Sequence, residues 1–175
     1  TGAASDTTSP MQVFVSIEPQ VYFLERIGGD RVNVQAMVQP GHSPATYEPS
    51  PRQMSALAKA RLFFRIGVAF ENSFIPKIHD TLPSLKIIDT RKNVPLRRME
   101  GHHHHGHDGH DAHDGHGSHD NLHDDEGYDP HVWLDPQRVK IQARTIADAL
   151  VQADPAGQET YETNLAAFLT ELDDL

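Results

Sequence analysis

An α/β fold, a parallel sheet with helices on its faces, is what this chain predicts, and three observations carry that expectation. Short β-rich runs alternate with segments whose apolar residues recur at helical spacing. Cap-and-proline pairs, the signature of a helix start, stand at Ser50-Pro51, Asp135-Pro136 and Asp154-Pro155. Strands that alternate with helices imply crossover connections, and those imply parallel strands covered on both sides. At 175 residues the chain is long enough for one domain with a real core, or for one domain and part of a second.

The elements follow in order. Met11 to Ile17 is a β-rich, buried run; Glu18 to Ile27 places Val21, Leu24 and Ile27 at helical spacing, and Gly28-Gly29 supplies the stop. Val32 to Val38 is a second strand, closed by the turn Gln39-Pro40-Gly41. A helix opens at Ser50-Pro51 and carries Met54, Leu57 and Ala58. Leu62 to Val68 is a third strand, Phe70 to Leu82 a helix interrupted by Pro76, and Leu85 to Asp89 a fourth strand. After Asp135-Pro136, residues Val139, Ala143, Ile146 and Leu150 form one apolar stripe, and Tyr161, Leu165, Phe168 and Leu172 form another. This last helix has no stop signal, so a continuation beyond it is expected.

Ten of the thirteen histidines crowd between positions 102 and 123: His102, His103, His104, His105, His107, His110, His113, His116, His119 and His123. Gly and Asp fill the gaps, and apolar side chains are almost absent. Neutral imidazole is a favoured ligand for zinc, copper and nickel, and interleaved carboxylates lower the cost of gathering dications in one place. The run therefore points to metal capture. A purification tag fits poorly, because the run is internal and its repeats contain Asp. With so little to bury, residues 101–129 are expected to be a disordered loop without metal, since ordering costs about 1–2 kcal/mol per residue.

Charge and composition narrow the function. Residues 101–129 hold eight acidic side chains and no Lys or Arg, which accounts for −8 of the formal −10 and leaves the rest of the chain near neutrality, at −2. No basic stripe is present to neutralise phosphates, so no nucleic-acid partner is expected. With no cysteine, metal ligands must be His, Asp or Glu. No apolar run approaches the roughly 20 residues that span a bilayer, so the chain is not expected to be membrane-embedded. Residues 1–10 are small and polar, a flexible start of the kind left after signal removal.

Ligands of an open parallel sheet sit beyond the carboxyl ends of its strands. The loop from Gln39 to Pro49 follows a strand and Tyr128 to Pro136 precedes a helix, which makes His42 and His131 the histidines of interest outside the run.

At this point the sequence resembles the cluster of substrate-binding proteins that serve ABC importers for zinc and manganese. Four pieces in order carry the resemblance: VFVSIEPQVYFLERIGGDRVNVQAMVQPG, YEPSPRQMSALAKARLFFRIGVAFE, DPHVWLDPQRV and YETNLAAFLTEL. An Asp/His-rich stretch just before DPHVWLDP is what the zinc branch carries, and imidazole also favours zinc over manganese. The resemblance implies two α/β lobes joined by one long helix, with Zn2+ held in the cleft and passed to the membrane permease of an ABC importer in the periplasm. On that reading, residues 11–157 are the first lobe, residues 158–175 begin the interlobe helix, and the second lobe is absent.

The resemblance makes His131 the first lobe's main ligand. The family's other first-lobe ligand lies in a G-x-x-P-H-x-Y-E-P loop; here the loop reads GHSPATYEP, and Ala45 takes the histidine's place. His42, three residues earlier, is a candidate substitute, and Glu71 is a second, set against the alternative of an exposed carboxylate at a helix start. Tyr47 and Trp133 are read as packing for the site walls, and His79 as a surface residue. Three functions compete: a zinc receptor in which the His-rich run collects ions for a cleft site, a storage protein in which the run itself is the main binding element, and a zinc hydrolase. The last needs three ligands and a general base, and no HExxH pattern is present, so no enzyme is expected.

Overall fold

The computed structural model describes residues 9–98 and 128–175. Four strands, β1 (Met11–Val15), β2 (Val32–Ala36), β3 (Leu62–Arg65) and β4 (Lys86–Asp89), form one all-parallel sheet in the order β2-β1-β3-β4. The helices are α1 (Glu18–Gly28), α2 (Pro51–Leu57), α3 (Glu71–Thr81), α4 (Pro136–Ala153) and α5 (Gln158–Asp173). The expected fold class is the one observed.

Strand alternation sorts the side chains onto two faces. Val13, Val15, Leu62 and Phe64 join Leu24, Ile27, Val139, Ala143, Ile146, Tyr161 and Phe168 in one cluster, so α1, α4 and α5 cover that face. Phe14 and Phe63 turn the other way, toward Leu57 of α2 and Phe74, Ile75 and Ile78 of α3. Each cluster is continuous apolar burial, the dominant favourable contribution to the fold.

Two capping signals act as the sequence implies. Ser50 Oγ accepts from Gln53 N at 3.3 Å while Gln53 Oε1 accepts from Ser50 N at 3.1 Å, a reciprocal capping box with Pro51 at the first helical position. Asp135 Oδ1 accepts from Gln137 N at 2.9 Å and opens α4. The helix expected over 70–82 runs through Pro76, because its buried face of Phe74, Ile75 and Ile78 outweighs the forgone backbone bond.

The strands are shorter than the apolar runs. β3 stops at Arg65 instead of Val68, because the N–H groups of Ile66 and Gly67 turn to the Glu71 carboxylate. β1 and β2 also end two residues early: Ser16 N and Ile17 N donate to Gln20 Oε1 at 3.1 and 3.3 Å, and Ser16, Ile17, Met37 and Val38 remain buried at the sheet's carboxyl edge. The whole His-rich run, 102–123, and residues 1–8 lie outside the described residues. Of the stretch 101–129 expected to be disordered, the two residues that are described are ordered: Tyr128 forms an antiparallel bridge with Arg98, and Asp129 N donates to Arg97 O at 2.8 Å. Among the described residues, no helix is long and apolar enough to cross a membrane.

Candidate metal centre

β1 and β3 are neighbours, and the connection leaving β1 runs to β2 on one side while the connection leaving β3 runs to β4 on the other, so the two diverge at the carboxyl edge between those strands, where open α/β sheets hold ligands. Three loops meet near that edge: 37–50 after β2, 66–70 after β3, and 128–135 ahead of α4. Val132, fully buried, lies in one cluster with Ile17, Met37, Val38, Ile66, Val68 and Val94, residues that follow the four strand ends. Its neighbour His131 is thereby fixed at the edge.

His131 stands in a tight turn. Leu134 N donates to His131 O at 3.2 Å, Val132 N to Pro130 O at 2.7 Å, and the buried Gln142 of α4 donates through Nε2 to Val132 O at 3.1 Å. Asp129 Oδ1 accepts twice from His131, from its backbone N at 3.0 Å and from ring Nδ1 at 2.6 Å. Those bonds, backbone first and ring second, hold the Asp129 carboxyl below the usual carboxylate range. An ionised carboxylate can only accept, so Nδ1 carries the hydrogen and the lone pair lies on Nε2. The ring packs at 5.1 Å from that of Trp133, and the side chain is 58% exposed. Chemically this is an imidazole with one nitrogen tied down and the other offered outward, the arrangement that metal-binding histidines adopt.

His42 sits in the loop after β2. The loop is pinned by Phe70 N donating to Pro44 O at 3.1 Å, and Tyr47, stacked edge-on at 5.5 Å from Phe70, donates to Gln53 Oε1 at 2.6 Å. His42 is exposed, 5.9 Å from the Tyr47 ring, and borders an open depression of about 590 Å³ with Gln39, Thr46, Tyr47 and Glu48; His131 is not part of that lining. Ala45 is exposed, its amide bonded to Ser43 Oγ at 3.2 Å. His79 is exposed on α3 beside Asp80, as a surface residue should be.

Glu71 departs from both of its expected roles. It is fully buried, and its oxygens accept from Ile66 N and Gly67 N at 2.8 Å each and from Arg65 Nε at 3.0 Å. Asp89 lies 3.7 Å from Arg65 and accepts from Arg91 through both of its oxygens, at 3.1 and 2.8 Å. Gly67, at φ +86°, is the only residue type suited to its place, since a Cβ there would meet Arg91 Nη1 at 2.1 Å. Glu71 thus anchors the loop after β3 and is closed to an incoming ion. Among the described residues, no three histidine or carboxylate side chains converge closely enough to hold a metal. Sequence reasoning missed Asp129 as a partner of His131, counting it only among the acidic residues of the run; the signal was there in the i, i+2 spacing of an Asx turn.

The comparisons with known proteins give the family. The family model for the zinc-uptake complex component A, periplasmic, matches residues 13–175. The zinc-binding lipoprotein AdcA of Streptococcus pneumoniae is 29% identical over 169 residues, covering 94% of this chain and 31% of that protein. The manganese-binding lipoprotein MntA of Halalkalibacterium halodurans is 27% identical over 152 residues, covering 87% and 43%. Among solved structures, a zinc-bound ZnuA carrying a deletion of its residues 138–173 superposes with a TM-score of 0.77 at 38% identity, covering 94% of this chain and 55% of that one. The chain spans about half the length, or less, of the curated relatives it matches. It belongs to the ZnuA family of periplasmic metal-binding receptors for ABC importers, a family of carriers and not of enzymes.

Proposed function

We propose that this chain is the first lobe of a periplasmic zinc receptor, in which His131 contributes Nε2 to an ion shared with the part of the receptor that the relatives possess beyond this region. The observation that carries the reading is His131 itself: Nδ1 locked on Asp129, Nε2 without a partner among the described residues, at the carboxyl edge of the sheet. Zinc is favoured over manganese because imidazole is the softer donor and the chain is rich in it. The ten-histidine run serves as a collector: many weak sites raise the local ion concentration beside one rigid site. The receptor then hands its ion to the membrane permease of an ABC importer. α5 begins the helix that connects the lobes, and residues 11–157 form the lobe that precedes it.

Alanine at position 45 and the lack of a converging ligand set among the described residues also favour a second reading, a storage protein whose run holds the metal. Removing residues 101–126 from the full-length protein separates the two. In calorimetry, a receptor retains one tight zinc per molecule after the deletion; a storage protein loses essentially all binding.

A further inference from the structure

His131 owes its presentation to a single carboxylate. Asp129 Oδ1 holds both the main chain and the ring of His131, at 3.0 and 2.6 Å. The amide of the same residue is bound to Arg97 O at 2.8 Å, next to the Arg98–Tyr128 bridge, where the Arg98 guanidinium lies 5.5 Å from the Tyr128 ring centre. On the far side, Gln142 fixes Val132. The histidine is exposed, yet its position is set from both directions along the chain.

The consequence lies in the tautomer. A neutral imidazole in water divides between the form protonated on Nδ1 and the form protonated on Nε2, and only the first can bind an ion through Nε2. A carboxylate on Nδ1 selects that form, stops the ring from turning and increases the electron density on Nε2. We propose that Asp129 is the positioning residue of the His131 site: it chooses the tautomer and orients the ring through the paired chain segments 97–98 and 128–129. This rests on the reading of His131 as a metal ligand.

The test uses the full-length protein as Asp129→Ala and Asp129→Asn, with His131→Ala as reference. Zinc affinity is measured by competition with a chelator, and 15N resonances of the metal-free imidazoles report the tautomer, those of His131 being recognised by their loss in His131→Ala. Asp129→Ala is expected to weaken zinc by about 10–100-fold and to divide His131 between tautomers. Asp129→Asn, whose side-chain carbonyl can still accept from both N–H groups, is expected to keep the Nδ1–H form and recover most of the affinity. If affinity falls in Asp129→Ala while the tautomer is unchanged, Asp129 merely folds the turn and the proposal fails. If neither changes while His131→Ala loses the site, the proposal fails and the ligand reading stands. Zinc binding that is undiminished in His131→Ala overturns both.

Discussion

Two of the carboxylates at the carboxyl edge of the sheet, Glu71 and Asp129, are used in opposite ways. Glu71 is fully buried and accepts three N–H groups, two from the main chain of its own loop and one from Arg65, so its charge is consumed in holding β3 to α3. Asp129 is partly exposed and receives both of its side-chain bonds from one histidine, which it holds outward. A buried, saturated carboxylate stabilises a fold and has nothing left for a ligand. An exposed one that binds a single imidazole shapes the reactivity of that imidazole. Burial and bond count, not charge or nearness to the sheet's carboxyl edge, decide which acid serves the site.

Three substitutions can break this distinction, beginning with the largest effect. His131→Ala should weaken the tight zinc by more than the roughly 10–100-fold that an outer partner commands, while folding free energy changes by no more than about 0.5 kcal/mol, as for an exposed side chain. Chelator competition and urea unfolding measure the two halves; a large loss of stability with unchanged affinity would reverse the assignment. Glu71→Ala should do the converse. It takes the acceptor from the amides of Ile66 and Gly67 and one carboxylate partner from Arg65, lowering stability by about 3–5 kcal/mol, and the fraction that folds should keep its zinc affinity within a few-fold.

The smallest effect is expected at the opposite edge of the sheet, where a third carboxylate, Asp154, is bound by Tyr161 at 2.7 Å and Arg31 at 2.9 Å. Burial, and then the bond to Asp154, pushes the Tyr161 hydroxyl up to about 12 from its ordinary 10.0. A raised value in the folded protein means that this stability is intact below pH 10 and is lost as pH climbs toward about 12. Burial opposes ionisation of Asp154, but its bonds from Tyr161 and Arg31 outweigh that and leave it lowered, so its share is present at neutral pH and fades in acid. Tyr161→Phe should cost about 0.5–1.5 kcal/mol at pH 7, flatten the alkaline decline and leave zinc affinity untouched. Thermal unfolding across pH 7 to 12 checks this; an altered affinity would mean that the two edges are coupled.

Much of this fold is readable in the sequence because the signals are local. Ser50-Pro51 and Asp135-Pro136 contain their own capping chemistry, and the stripe Val139, Ala143, Ile146, Leu150 needs no partner to be recognised. His131 stood out through the DPHVWLDP segment. The errors occurred where distant or three-dimensional partners decide. Nothing in the apolar run 62–68 reveals that Ile66 and Gly67 leave the sheet to bind Glu71, and the helix-start position of Glu71 gives no sign of its burial. Asp129 was hidden for another reason: it ends a stretch of Asp and His so uniform that one member with a distinct task does not stand out. Tyr128 and Asp129 fall inside the stretch expected to be disordered yet are ordered, because the bridge between Arg98 and Tyr128 joins residues far apart in the sequence.

The most direct test of the central claim is a crystal of the full-length protein grown with one equivalent of zinc, with anomalous differences collected at the zinc edge. The result expected is a peak about 2.0–2.1 Å from His131 Nε2, with Asp129 still on Nδ1. Zinc found only on the histidines between 102 and 123, with His131 Nε2 bare, would contradict it.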